Sequence, residues 1–181
     1  MTYTSLSSKA TGDTISASDW ALIDGDLDDL DARVSANTFS GCSLERTSTQ
    51  SIPDSAGTLL ALTSEIIDEG GWFPGSGATI TVPAGAFPSG YSKIMVSLQC
   101  AIEWANGTAG RRTLDILKNG SLIGPVQQFV PATSLAVGQS NVRSFWFETG
   151  DTITFQVYQD SGGSLNVNSA IVTVARVGYF N

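Results

Sequence analysis

The stretch Trp104–Val126, WANGTAGRRTLDILKNGSLIGPV, gathers two adjacent arginines, Arg111 and Arg112, and two Asn-Gly pairs. Arginines beside glycines suggest an anion cradle. NGTAGRR, however, lacks the spaced glycines and the Lys-Ser/Thr of a phosphate loop. At the start of a strand the two arginines point to opposite faces. One reading is an anion site. The other is a pair bridging to carboxylates such as Glu103 or Asp115 at a subunit edge.

The acidic stretch DGDLDDLD spaces Asp24, Asp26 and Asp28 like the first ligands of a calcium loop. Asp29 stands where that loop needs glycine and Ser35 where it needs glutamate, so no EF-hand is expected. If the segment were a parallel trimer, these acids would form rings near its axis, and a divalent cation would relieve their repulsion; otherwise they form a solvated face. The chain has no histidine, which removes the commonest general base and metal ligand together. No G-x-S-x-G elbow occurs. Carboxylates are plentiful, but no pair is singled out for glycoside hydrolysis. Trp72, Phe73 and Tyr158 could stack on sugars; as core or interface residues they need no ligand. Cys42 and Cys100 have no C-x-x-C spacing, leaving a disulfide or two free buried thiols. The expectation is a non-enzyme with no cofactor and no resident metal.

Composition narrows the partners. The formal charge of −8 repels phosphate backbones and argues against nucleic acid. No stretch approaches the roughly 18 apolar residues of a membrane span, and the N-terminus lacks a signal-peptide core. The reading is a soluble protein made in a cytoplasm. With 41% hydrophobic but only 14% charged residues and 19 glycines, the chain suits strands joined by turns.

Three segments must position these residues. Residues 1–16 read as an extended anchoring arm. Residues 17–38 form a stalk segment, with a helix predicted over about 17–36. Ser16 and Asp19 make a capping pair. Trp20, Ile23, Leu27, Leu30 and Val34 recur at steps of three and four, the a/d seam of a short coiled coil. Two heptads cannot hold an oligomer alone, so the attached domain must fix the assembly. A single amphipathic helix packed on its own domain is the alternative.

Residues 39–181 read as β throughout. KIMVSLQCAIEW places Ile94, Val96, Leu98, Cys100, Ile102 and Trp104 on one face. TITFQVYQ turns Ile153, Phe155 and Val157 inward. TLDILK, Asn119-Gly120 and SLI form a hairpin, while Gly150-Asp151 and Ser161–Ser164 mark further turns. RSFWFE carries Phe145 and Phe147 on one side and Trp146 on the other. In AIVTVARVGYF, alternation assigns Ile171, Val177 and Tyr179 to one side and Val172, Val174 and Phe180 to the other. Such two-sided strands need a second cover, which predicts an oligomer. The expected oligomer surface is Phe145, Trp146, Phe147, Val174, Tyr179 and Phe180.

The segments WANGTAGRRTLDILKNGSLI, FETGDTITFQVYQDSGGSLNV and VARVGYF, over about 42–180, resemble the globular-head family of complement subcomponent q, within the tumour-necrosis-factor-like jelly-roll superfamily. RTSTQSIPDSAGTLLALTSEIIDEGGWF resembles the opening strands of its bacterial and phage members. The resemblance implies an all-β jelly-roll sandwich of about ten strands that assembles as a tight homotrimer. PAGAFPSGYSKIMV departs from the family's shorter Gly-Tyr-Tyr entry to the long central strand. At the N-terminus, ATGDTISASDW resembles the openings of small tailed-bacteriophage virion proteins.

Together these features predict arm, short trimeric stalk and trimeric head. The expected role is a structural protein on the virion surface, assembled in the host cytoplasm and attached to another virion protein through residues 1–35. Capsid decoration or head fibre is the first reading. The alternatives are a tail-associated protein that binds a host-surface receptor or glycan, and a bacterial carbohydrate-binding module.

Overall fold

The computed structural model describes residues 16–36, 39–107, 109–131 and 135–180, the side chains of 29 and 31–36 excepted. The chain divides into two units, Met1–Thr38 and Phe39–Asn181. Residues 1–15, which make up nearly all of the expected arm, lie outside the described residues.

Among its described residues the first unit contains one helix, α1 (Ala17–Ala36). Its start follows the predicted cap: the Asp19 amide donates to Ser16 Oγ at 3.3 Å, and the Ser16 amide donates to Asp19 Oδ2 at 2.8 Å. Aspartate here does the work that glutamate does in the usual reciprocal box.

The second unit is a sandwich of two six-stranded sheets, built among the described residues from twelve strands rather than about ten. The difference lies in short strands of two or three residues, which a period-2 pattern barely registers. The strands are β1 (Gly41–Arg46), β2 (Gln50–Ile52), β3 (Thr58–Leu59), β4 (Ser64–Glu69), β5 (Thr79–Thr81), β6 (Lys93–Trp104), β7 (Arg112–Lys118), β8 (Ser121–Leu122), β9 (Gln127–Phe129), β10 (Val137–Phe147), β11 (Thr152–Gln159) and β12 (Leu165–Phe180). One sheet runs β10-β6-β12-β1-β4, with β2 also on β12; the other runs β3-β11-β7-β8, with β5 on β11 and β9 on β7. A 3-10 turn at Ala84–Ala86 occupies the divergent loop before β6.

Alternation fills the space between the sheets. Ile94, Val96, Leu98, Cys100, Ile102 and Trp104 of β6 are all buried, as are Ile153, Phe155 and Val157 of β11. Trp72 and Phe73 also belong to this core, so neither offers a face to a sugar. The Trp72 indole donates to Ser40 Oγ, while the amides of Trp72 and Phe73 both donate to the Asp68 carboxylate. Cys42 and Cys100 are free. Cys42 pairs across to Val174 and Cys100 to Val172, so β12 runs between them.

Long strand β12 departs from simple alternation. Arg176 pairs with Val96 but Gly178 pairs with Met95, leaving Val177 in a bulge. An extra residue shifts every later side chain to the other face. Tyr179 therefore turns inward, registered with Ile94 and packed against the core, and Phe180 turns outward beside Lys93. The expectation that Phe180 shares a face with Val172 and Val174 is corrected by this bulge.

Candidate interaction surfaces

The residues expected at the head interface are distributed over three environments. Phe147 and Val174 are fully buried between the sheets and present nothing to a partner. Phe145 and Tyr179 are half-buried against the core, and Tyr179 packs on Tyr91 with ring centroids 4.3 Å apart and the planes tilted by 59°. Trp146 and Phe180 register on the outer face of the β10-β6-β12-β1-β4 sheet, with Met95 and Lys93 respectively.

That outer face is defined by two cross-strand rows. One reads Val142–Gln99–Thr173–Ser43–Ile67 and the next Ser144–Ser97–Ala175–Gly41. The first row carries no charge; the second ends on β4 at Glu69, the partner of Gly41. Ala101 and Ile171 adjoin the first row, and Met95 and Gly178 adjoin the second. Val142 and Ile171 are each 52% exposed. Glu45 is the cross-strand partner of Ile171, while Glu69, Glu103 and Lys93 stand towards the borders. Small residues keep the surface flat, and Val, Ile and Met give it apolar area; both suit close approach of another surface.

Between the start of β8 and β10, Leu122, Val126, Val130 and Leu135 are each exposed. The segment is tied down from β10, since Gln139 Nε2 donates to the Gln127 carbonyl and Arg143 Nη2 to the Pro125 carbonyl.

Trp146 lies at the border of these surfaces. Its indole is drawn towards the other sheet by Lys118, whose Nζ is 3.4 Å from the ring centroid and donates to the Trp146 carbonyl. The same Nζ is 2.9 Å from Asp151 Oδ2. Lys118, Phe145, Trp146 and Asp151 help line a shallow groove of about 470 Å³. Burial works to raise the Asp151 pKa, but the Glu148 amide, Lys118 and Asn119 outweigh it and hold the carboxyl below its ordinary value.

The two arginines separate as strand geometry predicts, but their partners are not those expected. Arg111 lies over the Tyr158 ring and pairs with Asp160, Nε to Oδ2 at 3.6 Å; its amide donates to the same carboxylate. Arg112 is fully buried between the rings of Trp104 and Phe129. Its Nη2 donates to the Gly107 carbonyl at 2.8 Å, while Nε and Nη1 have no partner among the described residues. Neither arginine bridges to Glu103 or Asp115. Burial lowers the Arg112 pKa. Asp115 is also buried, with Oδ2 held by Thr113; burial raises its pKa, against the opposing pull of Thr113 and the Gln127 backbone.

On α1, Trp20, Leu27 and Leu30 are exposed and Ile23 is half-exposed. The Val34 side chain lies outside the described residues. Asp24, Asp26 and Asp28 are exposed. No described helix is long and apolar enough to cross a membrane.

No family model matches the chain. Among solved structures it is similar to the globular domain of zebrafish complement 1qA, with a TM-score of 0.54 and 12% identity over 75% of this chain and 94% of that one. It is similar to PRD1 vertex protein P5, with a TM-score of 0.55 and 20% identity over 76% and 96%. It also resembles murine APRIL, with a TM-score of 0.52 and 10% identity over 76% and 100%. A curated 1,6-alpha-glucosyltransferase of Sporosarcina globispora is 31% identical over 83 residues, 45% of this chain but only 6% of that protein's length. The β unit is thus a two-sheet sandwich resembling the jelly rolls of complement C1q and tumour-necrosis-factor-like proteins.

Proposed function

We propose that the protein is a non-enzymatic, homotrimeric structural protein of a bacteriophage virion surface, with the β unit as its head and α1 as its stalk. The observation carrying this reading is the central row Val142–Gln99–Thr173–Ser43–Ile67 on the outer face of the β10-β6-β12-β1-β4 sheet, which carries no charge; its Val142 and the neighbouring Ile171 are each half exposed. Fully burying one such side chain contributes about 2 kcal/mol. Leu122, on β8 at the end of the other sheet's strand order, is also exposed, as are Val126, Val130 and Leu135. A face that meets an unlike edge makes head-to-tail contacts, which close into a ring when the rotation allows. The family resemblance supports three copies.

Within that assembly the interface would use outward residues: Ile171, Val142, Trp146 and Phe180. Phe145 and Tyr179 would support it from beneath. Trp20, Ile23, Leu27, Leu30 and Val34 would form the stalk seam, and residues 1–35 would engage another virion protein. The likeness to a phage vertex protein supports a capsid location, and capsid decoration or head fibre is the preferred role. The tail-associated receptor binder is the competing role.

Sedimentation equilibrium of the full chain tests the oligomer: a trimer is expected, and a monomer at micromolar concentration would overturn it. Antibody labelling of virions tests the location. Label on the shell is expected; label at the tail tip would replace decoration with receptor binding.

A further inference from the structure

The two Asn-Gly pairs are chemically alike in sequence but differ in their surroundings. Asn119-Gly120 is the two-residue turn between β7 and β8, with positive φ at both positions (51° and 75°). Its side-chain amide is tied at both ends: Nδ2 donates to Asp151 Oδ1 at 2.6 Å, and Oδ1 accepts from the Thr152 amide at 2.7 Å. Asn106-Gly107 follows β6 in a loop. Asn106 is exposed, and among the described residues no hydrogen bond engages its side chain or the Gly107 amide.

We infer that Asn106 is a site of spontaneous deamidation and isoaspartate formation, and that folding protects Asn119 from the same reaction. The Gly107 backbone nitrogen, giving up its proton to solvent base, attacks Asn106 Cγ. The new C–N bond closes a succinimide, and the Cγ–Nδ2 bond breaks to release ammonia. Water then opens either imide carbonyl, leaving aspartate or isoaspartate. The net change is amide plus water to acid plus ammonia, with no redox partner. Glycine at the following position leaves the attacking nitrogen unshielded by a side chain. At Asn119 the same attack must first break two hydrogen bonds and leave the turn geometry. At Asn106 no described contact opposes it. The product adds a negative charge one residue from the carbonyl that holds the buried Arg112 guanidinium.

The full chain is incubated in warm, mildly alkaline buffer, and its peptides are followed by mass spectrometry with an isoaspartyl methyltransferase assay. Asn106 should convert at least about tenfold faster than Asn119, the factor implied by one to two retained hydrogen bonds. In concentrated urea the two rates should converge. Asp151→Ala, if folded by circular dichroism, should raise the Asn119 rate, and Asn106→Gln should remove the early isoaspartate signal. Equal rates at both sites in the folded chain would overturn the inference. So would an Asn106 that converts in urea but stays intact in the folded protein.

Discussion

Lys118 and Trp146 join the two sheets at one edge: the ammonium of the β7 residue lies 3.4 Å from the centre of the β10 indole and donates to its carbonyl at 3.1 Å. Asp151 completes the arrangement from the other side at 2.9 Å. A flexible lysine is thus fixed between an anion and a π-face, a geometry that strengthens both contacts when water is partly excluded.

Replacing Lys118 with methionine keeps the stem but removes the charge. Lys118→Met should cost about 2 kcal/mol at neutral pH. Asp151 titrates below its ordinary value in the folded state. Its stabilising contribution is therefore present above the unfolded carboxylate pKa and lost as pH falls through the depressed folded value. Urea melts at pH 7 and at about pH 3 should show the gap between wild type and variant shrinking in acid.

Asp115 should behave in the opposite sense. Its folded pKa is raised by burial, so ionisation disfavours the folded state as pH rises through the window between unfolded and folded values. Asp115→Asn keeps the shape without the charge. It should melt higher than wild type at neutral pH, with the difference vanishing at low pH; thermal scans across pH measure this.

The guanidinium of Arg112 has one hydrogen bond to Gly107 and no carboxylate partner among the described residues. A buried charge so poorly compensated contributes little over an apolar group of similar length. Arg112→Met should lie within about 1 kcal/mol of wild type. Arg112→Ala, which opens a cavity, should cost about 3 kcal/mol. Paired chemical denaturation curves separate the two effects.

The proposed assembly predicts a contrast on one strand. Ile171 is exposed on the outer face of β12, while Val174 is fully buried. Ile171→Glu should leave a folded monomer by circular dichroism and sedimentation. Val174→Glu should abolish the cooperative melt. Trp20→Ala should loosen the stalk or its attachment, while residues 39–181 alone still assemble.

Burial pushes the Cys42 thiol up to about 12 and raises Cys100 as well. Since the thiolate is the nucleophile, both cysteines should stay unreactive to Ellman's reagent in the folded chain and react fully in denaturant. A fast native reaction at either would show local opening of the β1 or β6 region.

Local patterns determined much of this protein. The alternation in Lys93–Trp104 and Thr152–Gln159 specifies strands and their inward faces, because side-chain direction reverses at every residue of an extended chain. Asn119-Gly120 specifies its turn, because both residues must take positive φ. The Ser16–Asp19 cap was equally legible, since its partners are three residues apart. Only the tertiary structure decided which apolar residues face outward in the last strand. The Val177 bulge depends on how β12 meets β6, and it exchanges the faces of Tyr179 and Phe180 without any local signal. It likewise decided that Arg112 is interior and Arg111 pairs with Asp160, which lies 49 residues away. Partners of that kind are chosen by sheet packing, a non-local property that neither spacing nor composition encodes.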